Sequence, residues 1–309
     1  DALAWVKKSL ELYHRLNSQE DCARVLVELG AIHETRGNFA EAEDAYHQSL
    51  QFWKQIGDSI WQSTLYNNLG VLQHAKGDFE NSFVNLEKAM DYAKMSGNRR
   101  MEGYSLASIG DLYRNLDAYH ESLEAYSDAM KIAQNIEDQY LVLYLRLAET
   151  RIKILQKQFK QANTLLDLAF NQAKRSKSPL ETEQCKVEKA ILSYYFGDFS
   201  AASTQLLAAR EFFENVGQTD TLLTINLYLA LVLAKSKQGE ESAEIFQEIV
   251  KNLSQSSSNT QALSVCFDLR NDLKMISGQA GIADLLEVIL DQNANYQKKI
   301  QNVRRKIRK

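Results

Sequence analysis

The chain has 309 residues, 45% apolar and 25% charged, with a formal net charge of −4 at pH 7. One proline and 13 glycines leave few helix breakers, and Val, Ile and Thr form no alternating runs, which favours helices over strands. No apolar run reaches the ~18 residues of a membrane span.

Residues 1 to 15 place Ala2, Val6, Ser9 and Leu10 forty residues ahead of Ala42, Tyr46, Ser49 and Leu50. The chain therefore opens on the second helix of a repeat. It has no initiator methionine and no leader pattern, and is expected to be a fragment of a longer protein. The first complete repeat spans 18 to 57. Its first helix, from Ser18 to about Thr35, carries Ala23, Leu26, Leu29, Gly30 and His33 at helical spacing. Gly37-Asn38 ends it with a left-handed cap. A second helix follows from Phe39 to Lys54. Gly57-Asp58 ends that helix and caps the next.

The register then holds through five repeats. An aromatic follows the turn at Phe39, Phe79, Tyr119, Phe159 and Phe199. A small residue comes three later, at Ala42, Ser82, Ser122, Ala162 and Ala202. A larger one comes four after that, at Tyr46, Leu86, Tyr126, Leu166 and Leu206. Small residues at fixed places let antiparallel helices approach closely, and one pair cannot bury its own apolar face, so neighbours must stack. Repeat four has Thr150 in place of the glycine. Repeat six has Gly239 in place of the aromatic. A weak seventh pair is read over 260–289, after a polar loop from Ser254 to Asn259. The segment 292–309 loses the pattern and carries seven cations and no acid. The organisation expected is a repeat domain over 1–290 and a basic helix or linker over 291–309.

Cys22, Cys185 and Cys266 are odd in number and far apart, which reads as reduced, buried thiols in a cytoplasmic protein. The five histidines fall at no metal-ligand spacing, and no phosphate loop or nucleophile motif occurs. No cofactor, no metal and no enzymatic activity are expected.

Gly30, Ala42, Tyr46 and Ser49, with their recurrences, resemble the tetratricopeptide repeat. The period here is 40 rather than the usual ~34, and the family's closing proline is replaced by Lys54 and Lys94. The resemblance covers about 1–250 and implies an all-α, right-handed superhelical solenoid of antiparallel helix pairs, with about six to seven repeats. Long-period arrays of this kind resemble the sensor regions of large bacterial transcription regulators of the maltose-regulon-activator type, and also light-chain and spindle-orientation adaptors. Such arrays bind partners in a concave groove lined by the first helices. The groove residues implied are Arg24, Thr64, Asn67, His74, Tyr104, Asp111, Arg114, Tyr144, Arg151 and Tyr194. Tyr104, Tyr144 and Tyr194 recur at intervals of 40 and 50 and would form a partial ladder, or pack between helices. Asn67 and Arg114 would fix a peptide backbone or carboxylate.

The function expected is a sensing or protein-interaction arm of a bacterial regulator, binding a peptide, a protein or a small effector. The alternative is a scaffold that assembles proteins without switching. Without its basic tail the chain is strongly acidic, so nucleic acid is expected only through a neighbouring module.

Overall fold

The computed structural model describes residues 2–255, 260–276, 278 and 282–307. Among the described residues there are sixteen α-helices and no strand. After α1 (Ala2–Arg15), first helices begin every 40 residues: α2 (Gln19–Thr35), α4 (Ser59–Ala75), α6 (Arg99–Asn115), α8 (Gln139–Leu155), α10 (Pro179–Tyr195) and α12 (Thr219–Lys235). Second helices keep the same step: α3 (Phe39–Ile56), α5 (Phe79–Ser96), α7 (Tyr119–Asn135), α9 (Phe159–Arg175), α11 (Phe199–Val216) and α13 (Gly239–Gln255). The fold is a solenoid of helix pairs. By contacts it divides into two compact units, Asp1–Leu141 and Val142–Lys309.

The turns follow from backbone chemistry. Gly57 has φ +75° and Gly97 φ +67°, a region closed to most side chains, and each ends a second helix. Where the glycine is lost the conformation stays: Glu137 and Lys177, at the same place in later repeats, hold φ of 56° and 51°, and Asp117, Lys157 and Lys237, after first helices where Gly37 and Gly77 stand in earlier repeats, hold 60°, 59° and 64°. Caps supply the missing helix partners. The Asp58 carboxylate accepts from the amides of Ile60 (2.9 Å) and Trp61 (3.0 Å).

In the first unit the repeat signature is a packing code. A Cβ built on Gly30 would lie 2.4 Å from the Tyr46 ring, and one on Gly110 would lie 2.3 Å from the Tyr126 ring. The glycine is therefore the space the aromatic occupies. Ala42, Ser82 and Ser122 are fully buried, and the Ser122 hydroxyl donates to the Gly110 carbonyl at 2.7 Å. Tyr46, Trp53, Leu65, Leu69 and Leu72 are almost wholly enclosed, each worth about 1.5–3 kcal/mol of burial.

In the second unit the core runs from Leu143 to Ile289 and is densest along α12, where Ile225 and every residue from Leu227 to Val232 are buried. Thr150, where the glycine is missing, is buried and turns its hydroxyl back onto the Arg146 carbonyl at 2.7 Å.

The C-terminal end departs from the seventh pair read over 260–289. Two short helices, α14 (Thr260–Asp268) and α15 (Arg270–Ile276), precede one long helix, α16 (Ala283–Ile307). Phe267, Leu269, Leu273 and Ile276 are buried, so this segment folds inward where a regular pair would have continued the stack. Helix α16 runs unbroken through Asp291, the start read for a separate tail. The loop at 256–259 and the last two residues lie outside the described part.

Candidate functional site

The faces of α2, α4 and α6 in the first unit carry seven of the expected groove residues. Arg24 is exposed and ion-paired with Glu20, one turn earlier on the same helix. Thr64 is half-buried and bonds back to the Ile60 carbonyl at 3.2 Å. Tyr104 is half-buried, with the Arg100 guanidinium 5.5 Å above its ring. Asn67 departs from the expected backbone clamp. It is only 9% exposed, and its Oδ1 has no hydrogen-bond partner. Its place in the register is shared by Val27 and Ala107, both buried, and it sits in an apolar row.

The other three residues converge. Arg114 pairs with Asp111 at 3.3 Å on α6. Asp111 also accepts from the Tyr126 hydroxyl on α7 at 2.6 Å. Asn115 reaches His74 on α4, with 2.9 Å between Nδ2 and Nε2. Burial lowers the His74 pKa from its ordinary 6.5 to about 4, Asp111 opposing and Arg114 assisting. The ring is therefore neutral at pH 7. Its Nε2 accepts the Asn115 amide, so Nδ1 holds the proton. Burial and the Asp111 charge push the Tyr126 phenol well above its usual range, so it remains a donor. The result is a network across α4, α6 and α7 that presents a neutral imidazole, an amide and a paired guanidinium. One repeat earlier, the Tyr46 hydroxyl donates to Glu34 at 2.8 Å, and burial raises the Glu34 carboxyl.

The second unit treats its three residues differently. Tyr144 stays exposed at 38%. Arg151 forms an ion pair with Glu188 at 2.8 Å. Tyr194 is only 3% exposed, and the chain itself covers it: its hydroxyl donates to Asp272 of α15 at 2.9 Å. The Lys235 ammonium sits 4.7 Å above its ring, and Tyr195 and Tyr228 pack edge-on against it. Tyr194 is thus held by its own unit and does not stand open as a rung of a ladder.

Sequence reasoning missed Asn115, Tyr126 and Asp272 as partners. Tyr126 and Asn115 are in the repeat and their roles follow once the helices are paired. Asp272 lies beyond the register, and no periodicity points to it.

The comparisons bear on the same residues. Residues 21–95 match the family described as tetratricopeptide repeat, and residues 69–158 match anaphase-promoting complex subunit 5. The fold is a tetratricopeptide-repeat-like solenoid, and the family match itself falls on residues 21–95. A curated relative, the Tonsoku-like protein of Danio rerio, is 22% identical over 183 residues, covering 49% of this chain; the chain spans only 13% of that protein. NprR in complex with its cognate peptide NprX superposes with a TM-score of 0.63 at 13% identity, over 92% of this array and 86% of that chain. A signal transduction ATPase with a tetratricopeptide repeat sensor from Pyrococcus horikoshii gives 0.57 at 14% identity, over 92% of the array and 43% of that chain. Identities this low establish the fold. Among the described residues of the array, no helix is long and apolar enough to cross a membrane. Cys22, Cys185 and Cys266 are all buried and none is in a disulfide.

Proposed function

We propose that this array is a non-catalytic binding module that seats a peptide or an extended protein segment on its first-helix face, as the sensing arm of a larger cytoplasmic regulator of bacterial transcription. The observation that supports this most directly is the His74–Asn115–Arg114–Asp111–Tyr126 network. It holds polar groups from α4, α6 and α7 in fixed orientations on the first-helix face, which favours directional recognition at low entropic cost. The similarity to NprR, solved with a peptide, is consistent with the same use of the fold.

Within this reading the first unit is the better receptor. Its Arg24, Thr64, Tyr104 and Arg114 keep some exposure, whereas Tyr194 in the second unit is spent on Asp272. A displayed random peptide library selected on the full chain supplies the ligand. Tyr104→Ala and Arg114→Ala are expected to weaken a selected peptide at least tenfold while circular dichroism stays unchanged. Full affinity in both folded variants would place the ligand elsewhere.

The alternative reading, a scaffold without a switching role, draws on the match to a subunit of an assembly over 69–158. The two differ in coupling. A sensing arm changes amide exchange in α16 when a peptide binds; a scaffold leaves it unchanged.

A further inference from the structure

The longest helix of the chain carries its most basic stretch. Helix α16 has 25 residues, about 37 Å at ~1.5 Å per residue. Its acids, Asp284, Glu287 and Asp291, all stand in its first half. From 292 to 309 there are seven cations and no acid, in a chain whose formal charge is −4. On sequence alone, nucleic acid is expected only through a neighbouring module. The unbroken helix instead makes these cations part of the folded second unit.

The basic half of α16 is anchored. Tyr296, Ile300 and Val303 continue the buried face begun by Leu286 and Ile289, and the Tyr296 ring meets Phe267 edge-on at 5.6 Å. The opposite face holds Gln297, Lys298, Lys299, Gln301 and Asn302, all exposed, with Arg304 half-buried beside them. The sequence adds Arg305 and Lys306 before the helix ends at Ile307.

Two ordinary uses of helix cations do not account for this stretch. Cations favour a helix C-terminus, but only within the last turn, and Lys298 and Lys299 stand more than two turns before Ile307. Nor are they set for ion pairs along the helix. The residues three and four away are Ala294, Asn295, Gln301 and Asn302 for Lys298, and Asn295, Tyr296, Asn302 and Val303 for Lys299.

The composition of the face selects its partner. Phosphate oxygens accept from Lys, Arg, Asn and Gln, the residue types present. Among the described residues from 294 to 304 no large apolar side chain is exposed, so a protein partner finds no anchor. The apolar face is turned into the unit, so nothing is left to enter a bilayer. Tyr296, the one aromatic of the stretch, is buried, so a single strand finds no stacking platform. The backbone of a duplex needs only charges and donors in a fixed array.

We infer that the C-terminal half of α16 is a contact surface for the phosphate backbone of duplex DNA. The choice of DNA over duplex RNA rests on the regulatory reading above. The acidic remainder of the chain repels the polymer, which confines contact to this helix and leaves the first-helix face open to its own ligand.

The test uses the full chain and a short fluorescein-labelled DNA duplex, read by anisotropy from low to physiological salt. Binding is expected, with log Kd rising against log salt by about 0.9 for each phosphate contacted, a slope of roughly 3–5. Lys298→Gln with Lys299→Gln, and Arg305→Gln with Lys306→Gln, are each expected to weaken binding at least fivefold at low salt and to lower the slope by about 1–2. Glutamine keeps the helix propensity of the residues it replaces, so circular dichroism and thermal midpoint are expected to be unchanged. Lys7→Gln with Lys8→Gln removes the same charge from exposed places on α1 and should bind the duplex as the parent does. The inference is overturned if the duplex does not bind at low salt, if either α16 variant binds as the parent does, or if the α1 variant loses as much. It is also overturned if duplex RNA, a polyglutamate peptide or phosphatidylserine vesicles bind more tightly than the DNA. Peptide affinity in Tyr104→Ala and Arg114→Ala judges the receptor reading separately, so the two can fail independently.

Discussion

Replacing Gly110 by alanine tests the packing code at the point where it is tightest. In an exposed helix the exchange would stabilise by about 0.8–1.0 kcal/mol, because glycine is the poorer helix former. Here the new methyl would sit 2.3 and 2.4 Å from two carbons of the Tyr126 ring, where ordinary contact needs ~3.5–4.0 Å. The ring has little room to retreat. It is 3% exposed, its hydroxyl donates to Asp111, and the Ser122 hydroxyl ties α7 to the Gly110 carbonyl. Overpacking costs about 1–3 kcal/mol. Loss of the bond to the Asp111 carboxylate would add about 1.5–3 kcal/mol. The helix gain offsets only part of this, so a net loss of about 2–4 kcal/mol is expected, concentrated in α6 and α7. Urea denaturation measures the total, and amide exchange in those two helices localises it. Gly239→Ala is the control, since a Cβ there meets nothing within 4 Å; it should be neutral or slightly stabilising. If Gly110→Ala is as stable as the parent, the glycine–aromatic pairing is not what sets the helix spacing.

Lys157 holds a left-handed φ of 59°, so Lys157→Gly should raise stability by about 1 kcal/mol in urea; a loss would mean the lysine stem contributes more than the strain. Asn67→Leu replaces a buried amide with an unpartnered Oδ1 by a side chain of similar volume, and should stabilise the first unit by about 1 kcal/mol; destabilisation would show the amide to be satisfied in solution. His74 is neutral in the fold because burial lowers its pKa to about 4, against ~6.5 in the unfolded chain. The unfolded state therefore binds the extra proton first. Stability is full above pH ~6.5 and falls as the pH drops from there toward 4. The ring keeps some contact with solvent, so the loss should be about 1–2 kcal/mol, and His74→Gln should flatten that part of the profile. Tyr194→Phe removes the donor to Asp272 and should cost the second unit about 1–3 kcal/mol, with faster amide exchange in α15; no change would mean the apolar residues of α15 alone hold it in place.

The fold was legible because its instructions are local and repeated. Gly30, Ala42 and Tyr46 meet the same neighbours as Gly110, Ser122 and Tyr126, so one repeat, once understood, describes the rest. Legibility ends where the period does. Thr260 to Ile276 has helix-forming residues but no register, and only the folded chain shows two short helices turning inward to bring Asp272 onto Tyr194. The candidate face was legible only in part, for a related reason. Register says which residues share a row. It does not say how far the neighbouring rows close over that row. Asn67 and Tyr194 were placed on the first-helix face by row alone, and both are buried, one beside an apolar row and the other under α15.

The same distinction separates stability from recognition in this molecule. Residues at 40-residue intervals are largely consumed by packing. A ligand would meet the residues that differ between equivalent places. Glu34, His74 and Arg114 occupy one such place in three successive repeats and carry a carboxyl, a neutral imidazole and a guanidinium. Each is oriented by a partner from its own or a neighbouring helix: Tyr46 for Glu34, Asn115 for His74, Asp111 for Arg114. The invariant scaffold thus fixes the backbone positions, and the paired variable groups fix a sequence of hydrogen-bonding characters along them. The His74 and Arg114 pairs are joined through Asn115, which also accepts from the Arg114 guanidinium, so they would have to be exchanged together, whereas Glu34 with Tyr46 stands as a pair of its own above a packing code that does not move.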